Sequence, residues 1–423
     1  MRLTALALCV ASACAGDSKT DIADDTPTDA DADTDTDADT DADADTDADA
    51  DTDTDTDTGD LPTDIPDADS EILFPEAGNQ GLYDISLTDD PDGQTVWMTY
   101  TSVSDLPLGG YDAKGLQTRL ASSTDEGIVW TDAGIVFNAN DDIPLTMPPE
   151  YDGLPGVWAN EVSKLVHNPS ADPSEQWMVF WHRYLHVEDG GTPGDERKVE
   201  YGWIVQKSGA RPEDLVDGDE VTLFGGLGYD LLADPDFRAA TGGDPLQALH
   251  TEDPDLAACV AFTEPGAVYT QGALYMSLSC LLGTGQSRII LLKWSDPRWD
   301  YVGTPLASDQ DADLAGGHNG FSAADLFEVN GTAYLVVSPQ LPEGLYAGCT
   351  VFAFEDIDAA TLVDADGSGK ADVVVHIDGQ HGGINPGACG YSDRSRWTGL
   401  TYGEIFPTTD PFARQYRSQV HVP

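Results

Sequence analysis

Four carboxylates stand at the heads of short alternating segments: Asp84 in Tyr83-Asp84-Ile85-Ser86-Leu87, Glu161 in Asn160-Glu161-Val162-Ser163-Lys164-Leu165, Glu264 in Thr263-Glu264-Pro265-Gly266-Ala267-Val268-Tyr269, and Asp325 in Ala324-Asp325-Leu326-Phe327. Acids that meet in one pocket can divide acid–base work. One carboxyl, kept protonated near neutral pH, donates to a leaving oxygen, while another, kept ionised, activates water or attacks carbon. A third acid nearby raises the donor's pKa by like-charge repulsion, which gives three acids a purpose that a pair lacks. The chemistry that suits such a set is cleavage of a glycosidic bond. The same acids can equally accept backbone N–H bonds or hold a central cation with no catalysis.

Bringing them together requires a frame that points distant strands at one axis. After each carboxylate-headed segment comes a middle strand (residues 96–100, 177–181, 274–278 and 334–338) and then a third (118–121, 201–205, 289–292 and 350–354). Val, Leu, Tyr, Phe and Trp alternate with turns of Gly, Pro, Asp and Asn, and no long stretch has helical periodicity. The pattern predicts an all-β chain whose repeating unit is one blade of a β-propeller, with the inner strand of each blade along the central channel. A fifth unit is read from residues 372–378, 387–391 and 399–402. Five blades over residues 71–423 give roughly 70 residues per blade, which implies long loops. The longest insertion, residues 209–254, is expected either to cover the channel mouth or to run over the surface.

Other chemistry-bearing residues fall near the same strand ends. Trp158 can stack on a ring, Asn160 and Tyr391 can bond hydroxyls, and Arg183 and Arg394 can pair with carboxylates. His182, His318, Asn319, His381 and Asn385 complete the group, and with Asp325 they form the candidate binding set. Residues 364–372 have the oxygen spacing of a calcium loop, with Asp364, Asp366, Ser368 and Asp372 as ligands. Val375 stands where a closing Glu would be, and a Gly-rich hairpin turn explains the segment equally well. No cofactor is required by these motifs, and calcium is the one ion they suggest. Neither a Cys-x-x-Cys nor a His-Glu-x-x-His zinc motif is present.

The 423-residue chain carries a net charge of −58. Its first 70 residues hold 23 Asp against Arg2 and Lys19, leaving −37 for the rest. A surface of that sign repels phosphate backbones and anionic headgroups, so nucleic acid is excluded as a partner and carbohydrate is preferred. Residues 1–16 read as an export signal, too short to span a bilayer, and Ala11-Ser12-Ala13-Cys14 allows lipid attachment at Cys14 or ordinary cleavage. The expected product is exported, secreted or lipid-anchored at the bacterial surface or in the periplasm, and monomeric, with Cys14 its one route to a membrane. Residues 17–70, mostly Asp-Thr and Asp-Ala dipeptides from 29 to 57, cannot form a core and are expected to be a disordered acidic linker reaching roughly 90 Å. In an exported protein the four remaining cysteines favour disulfides. Counting leaves three connectivities, and strand order points to Cys259–Cys280 within a blade and Cys349–Cys389 between blades.

Ser123-Thr124-Asp125-Glu126-Gly127-Ile128-Val129-Trp130 resembles the Asp box, a turn between outer propeller strands in sialidases and several other glycosidases, with Val129 in place of the usual Thr. Together with the carboxylate-headed strands, the region from about residue 75 resembles the five-bladed propeller glycosidases of glycoside hydrolase families 43, 32 and 62. That resemblance implies Asp84 as base or nucleophile, Glu161 as the residue that orients and tunes, and Glu264 as general acid. The chain departs from the pattern: no Pro follows Asp84, Glu161 replaces an Asp, and Pro265-Gly266 follows Glu264. Two other readings stand beside it, a surface-tethered propeller that binds glycan or protein without turnover, and a sialidase-like enzyme, which needs three converging arginines.

Overall fold

The computed structural model describes residues 71–72, 78–108, 111–137, 146–188, 197–308, 311–312, 314, 318–342, 344–394 and 398–423. The signal segment, Cys14 and the Asp-rich linker lie outside them.

Twenty strands make five sheets arranged as a five-bladed propeller. Blade 1 holds β1 (Leu82–Asp89), β2 (Val96–Leu108), β3 (Tyr111–Ser123) and β4 (Thr131–Phe137). Blade 2 holds β5 (Gly156–His167), β6 (Trp177–Val187), β7 (Arg197–Gly209) and β8 (Val221–Gly225), and blade 3 holds β9 (Cys259–Thr270), β10 (Ala273–Leu282), β11 (Ser287–Ser295) and β12 (Arg298–Leu306). In blade 4, β13 (Phe321–Val329), β14 (Thr332–Pro339) and β15 (Cys349–Asp356) are followed by β16 (Thr361–Leu362) and β17 (Val373–Ile377), both paired with β15. Blade 5 is β18 (Ile384–Tyr391), β19 (Leu400–Ile405) and β20 (Ala413–Arg417). The inner strands β1, β5, β9, β13 and β18 neighbour one another in a closed ring.

The first described residues finish the last blade. Glu71 bridges Tyr416 antiparallel, and the Ile72 N–H donates to the Gln415 carbonyl at 2.8 Å, so the first described segment joins the sheet of the last strand. Ile72 is 2% exposed, which anchors this seam with apolar burial. The fifth unit is therefore built differently from the sequence reading: residues 373–377 pair with β15 at the edge of blade 4, and the inner strand of blade 5 starts at Ile384. An alternating Val-rich segment fits an inner or an edge strand equally well, and here the open edge of β15 captures it.

Apolar side chains between adjacent sheets form the core, with the Trp181, Trp203 and Trp299 side chains fully buried. Cys259–Cys280 links β9 to β10 inside blade 3, and Cys349–Cys389 ties blade 4 to blade 5. In the turn between β3 and β4, Asp125 Oδ1 accepts the Val129 N–H at 2.9 Å, the Gly127 N–H donates to Ser123 Oγ at 3.0 Å, and Trp130 is buried. The 209–254 insertion supplies β8 and a short helix, Pro235–Thr241, whose Phe237 packs near Trp158. Its Gln247 reaches blade 3, with Nε2 donating to the Trp299 carbonyl at 3.1 Å. It fills the space beside blades 2 and 3, and none of its residues lines the cavities along the axis. The expectation that it covers the channel is not met.

Candidate active site

Each inner strand carries a bulge at a matching level. Register slips between Tyr83 and Ser86, Glu161 and Ser163, Ser322 and Asp325, and Gly387 and Gly390, and β9 slips opposite Ser277 and Ser279. At the bulges Asp84, Val162, Glu264, Ala323 and Ala388 have φ of 53°, 48°, 56°, 48° and 52°. Positive φ in a residue with a Cβ costs about 1–3 kcal/mol, and such strain gathers where a side chain must be aimed. The acids are thus not at strand heads: β5 begins five residues before Glu161 and β9 five before Glu264. A bulge inside each strand, rather than its first residue, turns the carboxylates.

Asp84 and Glu161 line one cavity, and Glu161 and Glu264 line the adjoining one. Arg197, at the start of β7, lines both and is the one cation among their described lining residues. Burial, followed by the charges of Glu161 and Glu264, holds the Asp84 carboxyl well above the usual carboxylate range, against a 3.1 Å bond from the Thr101 hydroxyl and the more distant Arg197. Glu161 is also raised by burial, opposed by Arg197 and a bond from the Tyr184 hydroxyl. Glu264 accepts three bonds: Tyr346 Oη at 2.6 Å, the Ala323 N–H at 2.7 Å, and the Ser322 hydroxyl.

The site tyrosines sit in a network spanning four blades. Tyr83 Oη donates to the Asn385 carbonyl at 2.6 Å, and Asn385 Oδ1 accepts the Tyr346 N–H at 2.6 Å. Burial pushes both phenols well up, so each remains a neutral donor. Two glycines make room: a Cβ on Gly403 would lie 2.2 Å from the Tyr83 ring, and one on Gly387 2.7 Å from the Tyr346 ring.

Further along the inner strands, Lys164 of blade 2 and Asp325 of blade 4 pair across the axis. Lys164 Nζ lies 3.1 Å from Asp325 and donates to the Leu87 carbonyl at 3.1 Å, while the Ser86 hydroxyl donates to Asp325 at 2.8 Å. Asp325 is thus paired with Lys164, and it shares a third cavity with Asp84 rather than either of the two that Glu161 lines.

No family model matches the chain, and no curated protein does. Matching solved structures include a thermostable family-43 glycoside hydrolase at 11% identity, covering 82% of this chain and 91% of the other with a TM-score of 0.44. An arabinanase from Bacillus subtilis matches at 12%, over 80% and 95% of the two chains, TM-score 0.42. A GH32 beta-fructofuranosidase from Bombyx mori matches at 13%, over 79% and 56%, TM-score 0.42.

Of the remaining sequence-picked residues, His182 lines the cavity of Glu161 and Glu264, whereas Trp158, Asn160, Arg183, Tyr391 and Arg394 line neither acid cavity. Trp158 is 3% exposed and packs edge-on to Trp203, so its faces are taken. Asn160 Oδ1 accepts from Trp181 Nε1 and Arg183 Nε, and the Arg183 guanidinium stacks 3.7 Å over Phe137. Tyr391 and Arg394 lie at the opposite mouth of the channel, where Tyr391 stacks 4.2 Å from Phe327. His318 is half-buried in the segment leading into β13. His381 stacks on Tyr416 at 3.8 Å. In residues 364–372, Asp364 and Asp366 accept backbone N–H bonds from Ser368 and Gly369, and Asp372 accepts that of Ala365. Among the described residues no three His, Cys, Asp or Glu side chains are gathered to hold a metal ion.

Sequence reasoning missed Tyr83, Tyr184, Arg197, Ser322 and Tyr346. Tyr83 and Ser322 precede the strained residues of their strands and were findable by that offset. Tyr346 sits in a loop, and nothing in its neighbourhood signals a role.

Proposed function

We propose that this propeller is a glycoside hydrolase that cleaves a neutral or furanose-containing polysaccharide with Asp84, Glu161 and Glu264. The observation that supports this reading is the meeting of three buried carboxyls, from three blades, at two adjoining cavities with one cation. Their environments differ, as an acid–base division requires. Asp84, buried beside two carboxylates, is suited to hold a proton, whereas Glu264 is positioned by three hydrogen-bond donors. This assigns proton donation to Asp84 and the base or nucleophile role to Glu264, the reverse of what the resemblance implies. Glu161, with Arg197, tunes the pair.

The test is reducing-sugar release from arabinan, xylan and fructan by the wild type, Asp84→Asn and Glu264→Gln, repeated on aryl glycosides of the cleaved sugar. A good leaving group needs no proton. Asp84→Asn should therefore lose polysaccharide activity but keep most of its rate on dinitrophenyl glycosides, while Glu264→Gln should lose both. The opposite pattern would restore the roles implied by resemblance. Binding without sugar release would favour the non-catalytic glycan-binding propeller, a reading supported by the low exposure of the acids.

A further inference from the structure

His182, on β6, lines the cavity that holds Glu161 and Glu264. It is 2% exposed, its ring stacks 4.9 Å from that of Tyr184, and its Nε2 is buried with no hydrogen-bond partner among the described residues. Among the cavity's other polar groups, Tyr346 and Ser322 bond Glu264, and Gln340 Oε1 accepts from the Ser287 hydroxyl. An orphaned ring nitrogen in a cavity is costly to keep unless something else completes it.

We propose that His182 Nε2 is a ligand-reading group that bonds one hydroxyl of a neutral sugar held beside Glu161 and Glu264. Burial, with Arg197, pushes the imidazole down to about 3, so it stays uncharged over the working range. A neutral ring offers Nε2 as donor or acceptor according to tautomer, and a hydroxyl can answer either. An anionic ligand group at the same place would sit against the carboxylates, which disfavours uronic and sialic acids. The inference rests on the glycosidase reading for its ligand class but not for turnover.

The experiment uses the full chain with 15N-histidine labelling. Arabinose, xylose, fructose, galacturonic acid and glucosamine are titrated separately while the His182 ring resonances are followed, and affinities are compared for wild type, His182→Phe and His182→Gln. The expected result is that a neutral sugar shifts the His182 signal, that His182→Phe weakens its binding about tenfold, the scale of one neutral hydrogen bond, and that His182→Gln, whose amide reaches a similar point, recovers part of it. Absence of any shift with all five sugars overturns the proposal, as does a response to galacturonic acid or glucosamine alone. If a neutral sugar binds through His182 but no polysaccharide is cut, the hydrolase reading fails and this one stands. If polysaccharide is cut with the same KM by His182→Phe, the hydrolase reading stands and this one fails. Should His182→Phe not fold, the wild-type shift and His182→Gln still decide.

Discussion

Tyr346 Oη donates to Glu264 Oε1 at 2.6 Å, so a loop residue of blade 4 holds a carboxyl on the inner strand of blade 3. A hydrogen bond to a charged group contributes about 1.5–3 kcal/mol. Tyr346→Phe should lower folding stability by about that amount, measured by urea unfolding. In a double-mutant cycle with Glu264→Ala the two losses should fall well short of additive, because each removes the same bond. Simple additivity would mean that the pair is not coupled.

The buried Lys164–Asp325 pair makes a second prediction. Lys164→Met leaves Asp325 buried and unpaired, a change that costs about 3–5 kcal/mol. Adding Asp325→Asn, which keeps the Ser86 bond but removes the charge, should recover most of the loss. A single variant within about 1 kcal/mol of wild type, the range of an exposed pair, would show that the ion pair is not buried as described.

Asp230 sets a pH dependence outside the acid cavity. Burial pushes its carboxyl up to about 7, and it faces His250 at 3.4 Å, whose ring burial pushes down. Because the folded state binds the Asp230 proton more tightly than the unfolded chain, this group's contribution is present below the unfolded pKa of 3.8 and is lost as pH rises to about 7. Melting curves of wild type and Asp230→Asn should therefore diverge between those values, with the variant gaining relative stability as pH rises and the difference flat above. A difference independent of pH would refute the assignment.

Closure of the ring depends on Glu71 and Ile72. A chain starting at Ser70 should melt like the full protein, whereas one starting at Gly78 loses the burial of Ile72 and the bonds to β20, together about 2–4 kcal/mol. Calorimetry of the two truncations checks this, and equal melting temperatures would mean that blade 5 holds without its outer segment.

Much of the frame was legible in the chain. Middle and third strands recur as apolar segments, the middle ones of blades 2 to 4 buried almost throughout, and both disulfides follow once the strands are ordered. The bulges were not legible, since Asp84, Val162, Glu264, Ala323 and Ala388 adopt positive φ without the glycine that usually marks it. Nor was the fate of residues 373–377, where propensity gives strand but not partner.

By itself the sequence determined an all-β chain, its acidic balance, and which carboxylates stand on inner strands, because alternation and composition are local properties written along the backbone. Only the tertiary structure decided that Asp325 pairs with Lys164, that Trp158 is covered, and that Tyr346 and His182 face Glu264's cavity. Those outcomes depend on which blades meet across the axis and on strand bends held by surrounding packing, and neither is a function of nearest neighbours in the chain.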